Sequence, residues 1–550
     1  MNSESVLILG AGEMQRPAIA AAKQLGYKAA AVDANPNAAA VMDADVFGQV
    51  DLKDREAVLA FARRLSRGGQ LRAVFTAGTD FSASAAYAAE ALGLPGHSFE
   101  AACNASIKPR MRACFAAAGV PSPQFFSVSK DGRSEAEFLE LCARRASEEL
   151  GFPCVVKPAD NMGARGCRMV RNAEEAAPAA AAAVAQSRSS AVIFERYMDG
   201  PEFSIDAVVF DGTMTVAGFA ARHIFYQPYF IETGHTMPAA IDEAVRLELI
   251  STFALGVKAL GLTHGAAKAD IKYTENGPEI GEIAARLSGG YMSGWTFPYA
   301  SGCNLTEQAL LVACGRTPER LVAERVPIAF APPASCVRLG RPFELYEVPC
   351  RRASAERAWI SIPGIVGSVC GEDSASGVPN VRNILPRPLQ PGSAVDFPRN
   401  NVQKCGNVIS CAPTVREAAE CAELAASRMF VRLGPRCGRT ERFLAGDGLP
   451  DESGFPPPAF SAFEKVSAME LSGTIPEDVP VLSCAGAEVL ALLDAGGRDW
   501  SYMTAREAAE LFDRMFPRHP PMDRRRFWSA LFRGGLQAAV YVSDSSSENQ

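Results

Sequence analysis

T-H-G-A-A-K-A-D-I-K-Y-T-E-N-G-P-E-I-G-E-I-A-A-R-L-S, residues 263–288, decides how the rest of the chain is read. Two runs that alternate small or apolar residues with charged ones flank Glu275-Asn276-Gly277. A short loop with Gly in its last place suits a β-hairpin with a left-handed residue at the turn. A hairpin centred on Asn276 sets Asp270 directly opposite Glu282. Side chains alternate between faces along a strand, so Lys268, Asp270, Lys272, Glu282 and Arg286 fall on one face and Ile271, Tyr273, Ile283 and Leu287 on the other. The second is a core face. Two carboxylates facing each other about 5 Å apart across strands destabilise a sheet unless something positive lies between them. A hard divalent cation takes carboxylate oxygens, and Lys268, Lys272 and Arg286 are left to meet the phosphates it carries. A solvated hairpin edge of mixed charge is the alternative, and a register slip of one residue undoes the facing pair.

The bulk numbers bound the rest. A chain of 550 residues exceeds one core, and 48% hydrophobic with 21% charged residues marks a soluble globular protein of several domains. A net charge of −7, with no basic run longer than Arg524-Arg525-Arg526, argues against nucleic acid as the main partner. Fifteen cysteines without metal-ligand spacing, behind an N-terminus that runs straight into a strand pattern, point to a reducing cytoplasm. No apolar run reaches the ~18 residues of a membrane span.

Upstream of the hairpin, Val6-Leu7-Ile8-Leu9, Gly10-Ala11-Gly12 and a helical stretch to Leu25 open a doubly wound β-α-β unit whose second strand ends at Asp33. The glycines suit either a dinucleotide turn or merely a tight turn. Gln15 stands where the dinucleotide pattern needs a third glycine. The strand from Val74 ends in Thr79 and Asp80, which either touch a ligand or cap the next helix. An amphipathic helix runs from Lys108 to Gly119. A strand carrying Lys157 precedes a loop with Gly163 and Gly166, and a strand lysine beside a glycine loop suits polyphosphate, although such a loop also serves a plain hairpin. Glu195 closes one strand and Glu202 opens the next, two acceptors placed for an exocyclic amine and ribose hydroxyls.

Together these residues resemble the ATP-grasp superfamily, in which ATP lies between two α+β lobes. The resemblance implies an α/β and α+β multidomain chain: a Rossmann-like pre-ATP-grasp domain over 1–105, lobes over 106–194 and 195–330, a C-terminal ligase subdomain over 331–444, and an appended, mainly helical region over 445–550. It further implies that Lys108, Lys157, Gly163 and Gly166 bind ATP phosphates, Glu195 and the Tyr197 backbone the adenine, and Glu202 the ribose. Asp270 and Glu282 hold Mg²⁺, with Mn²⁺ as an alternative ion, and Arg286 meets an acyl phosphate. The stretch Pro228-Tyr-Phe-Ile-Glu232-Thr-Gly-His235-Thr-Met-Pro238 and the Ser288-Gly289-Gly290 end of the hairpin are most similar to the L-amino-acid ligase type of carboxylate-amine ligase. In that type Glu232, His235 and His264 line the substrate pocket. Either histidine is a general base for the amine or a buried structural residue.

The implied reaction makes an amide from a small-molecule carboxylate and an amine through an acyl phosphate, with Lys157, Lys268 and Arg286 neutralising charge. No membrane or nucleic-acid partner is expected, and a homodimer stays open. A ligase on another kind of carboxylate and a catalytically silent nucleotide-binding protein are the alternatives. The family's metal strand usually runs Glu-x-Asn-x-Arg; here Ala284 replaces Asn, and Asp270 stands where Glu is more usual. Water can replace a lost amide ligand on Mg²⁺. Past the resemblance, Pro456-Pro457-Pro458 reads as a linker, 504–515 and 523–532 as amphipathic helices, 536–542 as a strand, and the last residues as a disordered Ser-rich tail.

Overall fold

A computed structural model describes residues 4–446, 454–495 and 497–547. The chain forms two compact units, the first Met1–His223, His235–Ala355 and Cys411–Val415, the second Ile224–Gly234, Glu356–Ser410 and Arg416–Gln550. No helix among the described residues is long and apolar enough to cross a membrane.

In the first unit, strands β1 (Ser5–Leu9), β2 (Lys28–Asp33), β3 (Val46–Gln49) and β4 (Leu71–Phe75) make a parallel sheet in the order β3-β2-β1-β4. Helix α1 (Arg16–Gln24) connects β1 to β2, α2 (Arg55–Gly68) connects β3 to β4, and α3 (Ser82–Ala91) follows β4; the near-continuous apolar strands are those of a sheet buried on both faces. Helices α4 (Phe99–Ser106) and α5 (Lys108–Ala118) follow; Gly119 closes α5 at φ +71°.

A second sheet, β5 (Phe125–Ser129), β6 (Cys154–Pro158), β7 (Arg168–Val170) and β8 (Ala191–Arg196), is antiparallel in the order β5-β8-β6-β7. Phe126, Cys154, Val156, Val170 and Phe194 bury one of its faces with Phe138 of α6 (Glu135–Arg145) and Ala176, Ala179, Ala180 and Ala183 of α7 (Ala173–Ala185). The alternating residues Lys157 and Glu195 therefore point to the other face.

Next come β9 (Glu202–Phe210), β10 (Thr213–Phe225), β11 (Ile231–Met237), α8 (Glu243–Leu260), β12 (Gly265–Thr274) and β13 (Gly277–Ala284). Four of these strands lie in the order β13-β12-β9-β10. Leu249, Ile250, Phe253 and Val257 of α8 cover Phe203, Ile205, Ile271, Ile280 and Ile283, so the sheet's opposite face carries the polar residues.

The hairpin pairs Asp270 with Glu282 and Lys268 with Ala284, the register expected from a centre at Asn276. At the turn, however, Thr274 pairs with Gly277, and the register shifts beyond Asp270, where Ile271 meets Ile280 and Lys272 meets Glu279. Gly281 is the extra residue of a β-bulge. The bulge reverses the alternation, so Ile280 and Ile283, of opposite parity, are both buried in the same core.

The second unit has a three-stranded sheet in which Gly364–Cys370 pairs with Ala394–Val395 on one side and Phe430–Leu433 on the other. One core joins Trp359, Val366 and Val431 to Phe455, Phe512, Trp528 and Tyr541, so the region expected to be appended, 445–550, shares a core with part of 331–444. The strand expected over 536–542 is a helix: Arg524–Ser547 is helical with a break at Gly534 and Gly535. Leu536, Ala538, Ala539, Val540, Tyr541 and Val542 are all buried, and burial on every side erases the helical period and leaves a run that reads as a strand. The Ser-rich end is likewise helical through Ser547, and 548–550 lie outside the described residues.

Candidate functional site

Register alone lays out the site's floor. Across four strands of the polar face, Arg222 on β10 pairs with Glu202 on β9, which pairs with Lys272 on β12, which pairs with Glu279 on β13. The next row runs Ser204, Asp270, Glu282, and the one after it Asp206, Lys268, Ala284. Arg286 lies just beyond, 6% exposed, its Nη1 donating to the Leu287 carbonyl at 2.9 Å.

Charges on this floor are paired in detail. Arg222 Nη1 lies 2.5 Å from Glu202 Oε1 and 2.9 Å from Asp270 Oδ1, the second an ion pair off hydrogen-bond alignment. Lys268 Nζ donates to Asp270 Oδ2. Burial raises the Asp270 pKa, but Arg222 and Lys268 more than offset it and hold the carboxyl well below the usual range. Lys272 Nζ donates to the Met198 carbonyl at 3.1 Å, sits 3.7 Å from Glu202 Oε2 and lies over the Tyr197 ring. Glu282 is the open carboxylate: its side chain is 30% exposed and its ion-pair partner, Lys108 Nζ, is 4.0 Å away. Asp206 is fully buried, accepts the Ser288 N–H at 3.0 Å and the Ser288 hydroxyl at 2.8 Å, and is pushed up to about 6 by burial.

The second sheet meets this floor through α5. Lys108, at its first turn, donates to the Asn161 carbonyl at 2.7 Å and so ties the glycine loop to Glu282. In that loop Gly163, Ala164 and Gly166 all adopt positive φ, 69°, 58° and 67°. A Cβ on Gly166 would lie 3.1 Å from Pro158 and 3.2 Å from Ala183, so glycine is required there. One turn on, Arg112 is 2% exposed and donates three ways: Nε to Glu195 Oε1 at 2.8 Å, Nη1 to the Ile280 carbonyl at 3.0 Å, and Nη2 to the Gly281 carbonyl at 2.6 Å. Lys157 Nζ donates to Glu195 Oε2 at 2.6 Å. Against the cost of its burial, Arg112 and Lys157 hold Glu195 down to about 2. Both Glu195 oxygens are thus taken by cations, where the sequence placed an open acceptor for an amine.

A cavity of about 320 Å³ lies between residues 196–200 and the hairpin tip, lined by Tyr197, Met198, Tyr273 and Glu279 among others. Its size is at the lower end for small-molecule sites, about 300 Å³ and upward. A smaller cavity of about 60 Å³ touches Thr76, Ser82, His97, His264 and Arg286. Here the histidines are hydrogen-bonded to the surrounding framework. His97 donates from Nε2 to the Ala266 carbonyl at 2.9 Å, its Nδ1 accepts the His264 N–H at 3.2 Å, and burial lowers its pKa to about 4. His264 Nε2 donates to the Val312 carbonyl at 3.1 Å. His235, on β11, is fully buried with Nε2 2.7 Å from Thr296 Oγ1.

The carboxyl end of β4 also reaches the site. Gly78 packs on Gly289, where a Cβ would lie 3.0 Å from the Gly289 Cα. Burial raises the Asp80 pKa, and Arg286 and Lys108 oppose that rise. Neither Thr79 nor Asp80 caps α3, whose N-cap, Phe81, makes no side-chain bond. At the first glycine turn, by contrast, Asp33 Oδ2 accepts the Ala11 N–H at 2.8 Å, so the acid braces the turn itself.

The sequence reading missed Arg112, Arg222 and Asp206. Arg112 follows Lys108 at helical i,i+4 spacing, and Asp206 and Arg222 follow from counting along the strands either side of the Asp211-Gly212 turn.

Residues 150–294 match a model of the ATP-grasp domain, and residues 358–434 a model of the L-amino acid ligase C-terminal domain 2. The chain is 26% identical over 373 residues to the uncharacterized protein y4rH of Sinorhizobium fredii, covering 66% of this chain and 69% of that one. It is 31% identical over 194 residues to the D-alanine--D-alanine ligase of Pseudomonas putida, 34% of this chain; it thus spans 57% of that ligase's length. The L-amino acid ligase structure from Bacillus licheniformis superposes with a TM-score of 0.64 at 18% identity, over 79% of this chain and all of that one. That likeness is one of fold.

Proposed function

We propose that this chain, which belongs to the ATP-grasp superfamily, is an ATP- and Mg²⁺-dependent carboxylate-amine ligase that acts on amino-acid substrates. The observation that carries the proposal is the facing pair Asp270 and Glu282 on a floor bordered by Lys108, Lys157, Lys268 and Arg286. Match to the L-amino acid ligase C-terminal domain supports the amino-acid part of it.

In this reading Lys108, Lys157 and the N–H groups of the Gly163–Gly166 loop take the ATP phosphates. Glu195 keeps Lys157 and Arg112 in place, and adenine recognition falls to the backbone of residues 196–198 beside the larger cavity. Glu202 faces the ribose. Glu282 offers a divalent cation an open oxygen, so the donor set fits at least one ion; among the described residues no cluster of three ligating side chains forms, so the rest of its ligands would have to come from nucleotide and water. When bound, Mg²⁺ supplies charge neutralisation to the transferring phosphoryl group.

A carboxylate oxygen attacks the γ-phosphorus, the bond to the β,γ-bridging oxygen breaks, and ADP leaves. The amine then attacks the acyl carbon, phosphate leaves with the C–O bonding pair, and the amine's proton passes to solvent or base. Arg286, buried beside Asp80 and Glu282, is placed to hold the acyl phosphate. His264 donates from Nε2 to the Val312 carbonyl, which fixes its ring in the wall of the substrate pocket. Hydroxylamine trapping tests the chemistry: a hydroxamate formed from one carboxylate, with ADP and Mg²⁺-dependent, is expected, and ATP binding without any hydroxamate or ADP across all carboxylates would overturn it.

A further inference from the structure

The oxygen donors are unequal, and the inequality bears on how many ions the site takes. Asp270 has one oxygen on Lys268 and the other against Arg222, while Arg222 is itself fixed on Glu202 at 2.5 Å. Both cations come from register: Lys268 shares the face of Asp270 two residues along β12, and Arg222 sits two strands away on the Glu202 row. Ala284, on the Lys268 row, brings no side-chain oxygen. Glu282, across from Asp270, has no cation at contact distance among the described residues: Lys108 Nζ is 4.0 Å away, Lys268 and Arg286 act on it only through space, and it is partly exposed.

Resting on the nucleotide reading above, we infer that the site binds one divalent cation per nucleotide, on Glu282, and that Arg222 and Lys268 supply beside Asp270 the positive charge of a second ion. A dication at Asp270 would meet two charged donors at contact distance in a buried site, where like charges repel far more strongly than in water. Lys268 can swing on its flexible stem, but Arg222 is tethered by Glu202 and stays. The second charge is thus built into the chain, and the Ala at 284 is the residue such a site tolerates because no second ion needs an amide oxygen.

Mn²⁺ is the probe. The full-length protein is titrated with Mn²⁺ in the presence of a non-hydrolysable ATP analogue, and bound ion is counted by electron paramagnetic resonance. One Mn²⁺ per bound nucleotide is expected, without Mn–Mn coupling. Asp270→Asn should leave the count at one, Ala284→Asn likewise, and Glu282→Gln should weaken Mn²⁺ at least about tenfold, the effect of losing a charged ligand. Two coupled ions in the wild type would overturn the inference, as would loss of the ion in Asp270→Asn with its retention in Glu282→Gln. Should Asp270→Asn not fold, the wild-type count decides alone. Binding of neither nucleotide nor ion would overturn the nucleotide reading and this inference with it, whereas two ions would overturn only the inference.

Discussion

Replacing Arg112 by Met keeps roughly the length of the side chain and removes three donors from a site that is 2% exposed. Glu195 loses one partner but keeps Lys157, so the cost lies at the low end of the ~3–5 kcal/mol for breaking a buried ion pair. The carbonyls of Ile280 and Gly281 lose their side-chain donor, which adds about 1 kcal/mol each. The sum, about 5 kcal/mol, is a third or more of the ~5–15 kcal/mol that holds a domain folded. At roughly 2–4 °C per kcal/mol for a domain of this scale, the first calorimetric transition should fall by about 10–20 °C. Arg112→Lys keeps the charge but not the fork, and should fall by less than half as much. Both variants should also raise hydrogen exchange in β13, because the bulge carbonyls are what the guanidinium holds. A Met variant within about 2 °C of wild type, with β13 exchange unchanged, would refute the clamp.

Other outcomes follow from the same geometry. Glu195 is depressed from 4.5 to about 2, so its contribution is present above pH 4.5 and lost as pH falls toward 2. The size is about 3 kcal/mol; Glu195→Gln should flatten that part of the wild-type stability curve in urea titrations between those limits, and a parallel curve would contradict it. Gly200 sits at φ +130°, with a would-be Cβ 2.2 Å from the Tyr273 carbonyl, so Gly200→Ala should cost about 2 kcal/mol or more by thermal unfolding and loosen nucleotide binding beside the larger cavity. Unchanged stability there would speak against the tight approach. Arg286→Ala should abolish product formation while nucleotide affinity, read by fluorescence of an ATP analogue, stays within about threefold; full turnover would remove Arg286 from the chemistry.

What was legible in the sequence was whatever obeyed a short period. The facing Asp270 and Glu282, the glycine loop after Lys157 and the parallel opening sheet all follow from alternation and turn chemistry within about thirty residues. The bulge at Gly281 was not, because one inserted glycine is no signal by itself, yet it decides that Ile280 joins the core and Glu279 turns to the charged face. Arg112 and Glu195 were legible only as residue types. Their bond joins positions 83 apart, and no local pattern shows that both oxygens of an apparent ligand acceptor are spent on the protein's own cations. The helix at Arg524–Ser547 was lost for the opposite reason: complete burial removed the polar stripe that marks a helix.

The central claim is that Mg·ATP is spent here on joining a carboxylate to an amine. The most direct measurement is phosphate release by the purified protein from Mg·ATP against every pair of the twenty L-amino acids, with products identified by mass. The account predicts release that requires a particular pair, a product lighter than the two substrates by one water, and loss of both in Glu282→Gln. ADP formation that ignores the amino acids, or none at all with ATP bound, would contradict it.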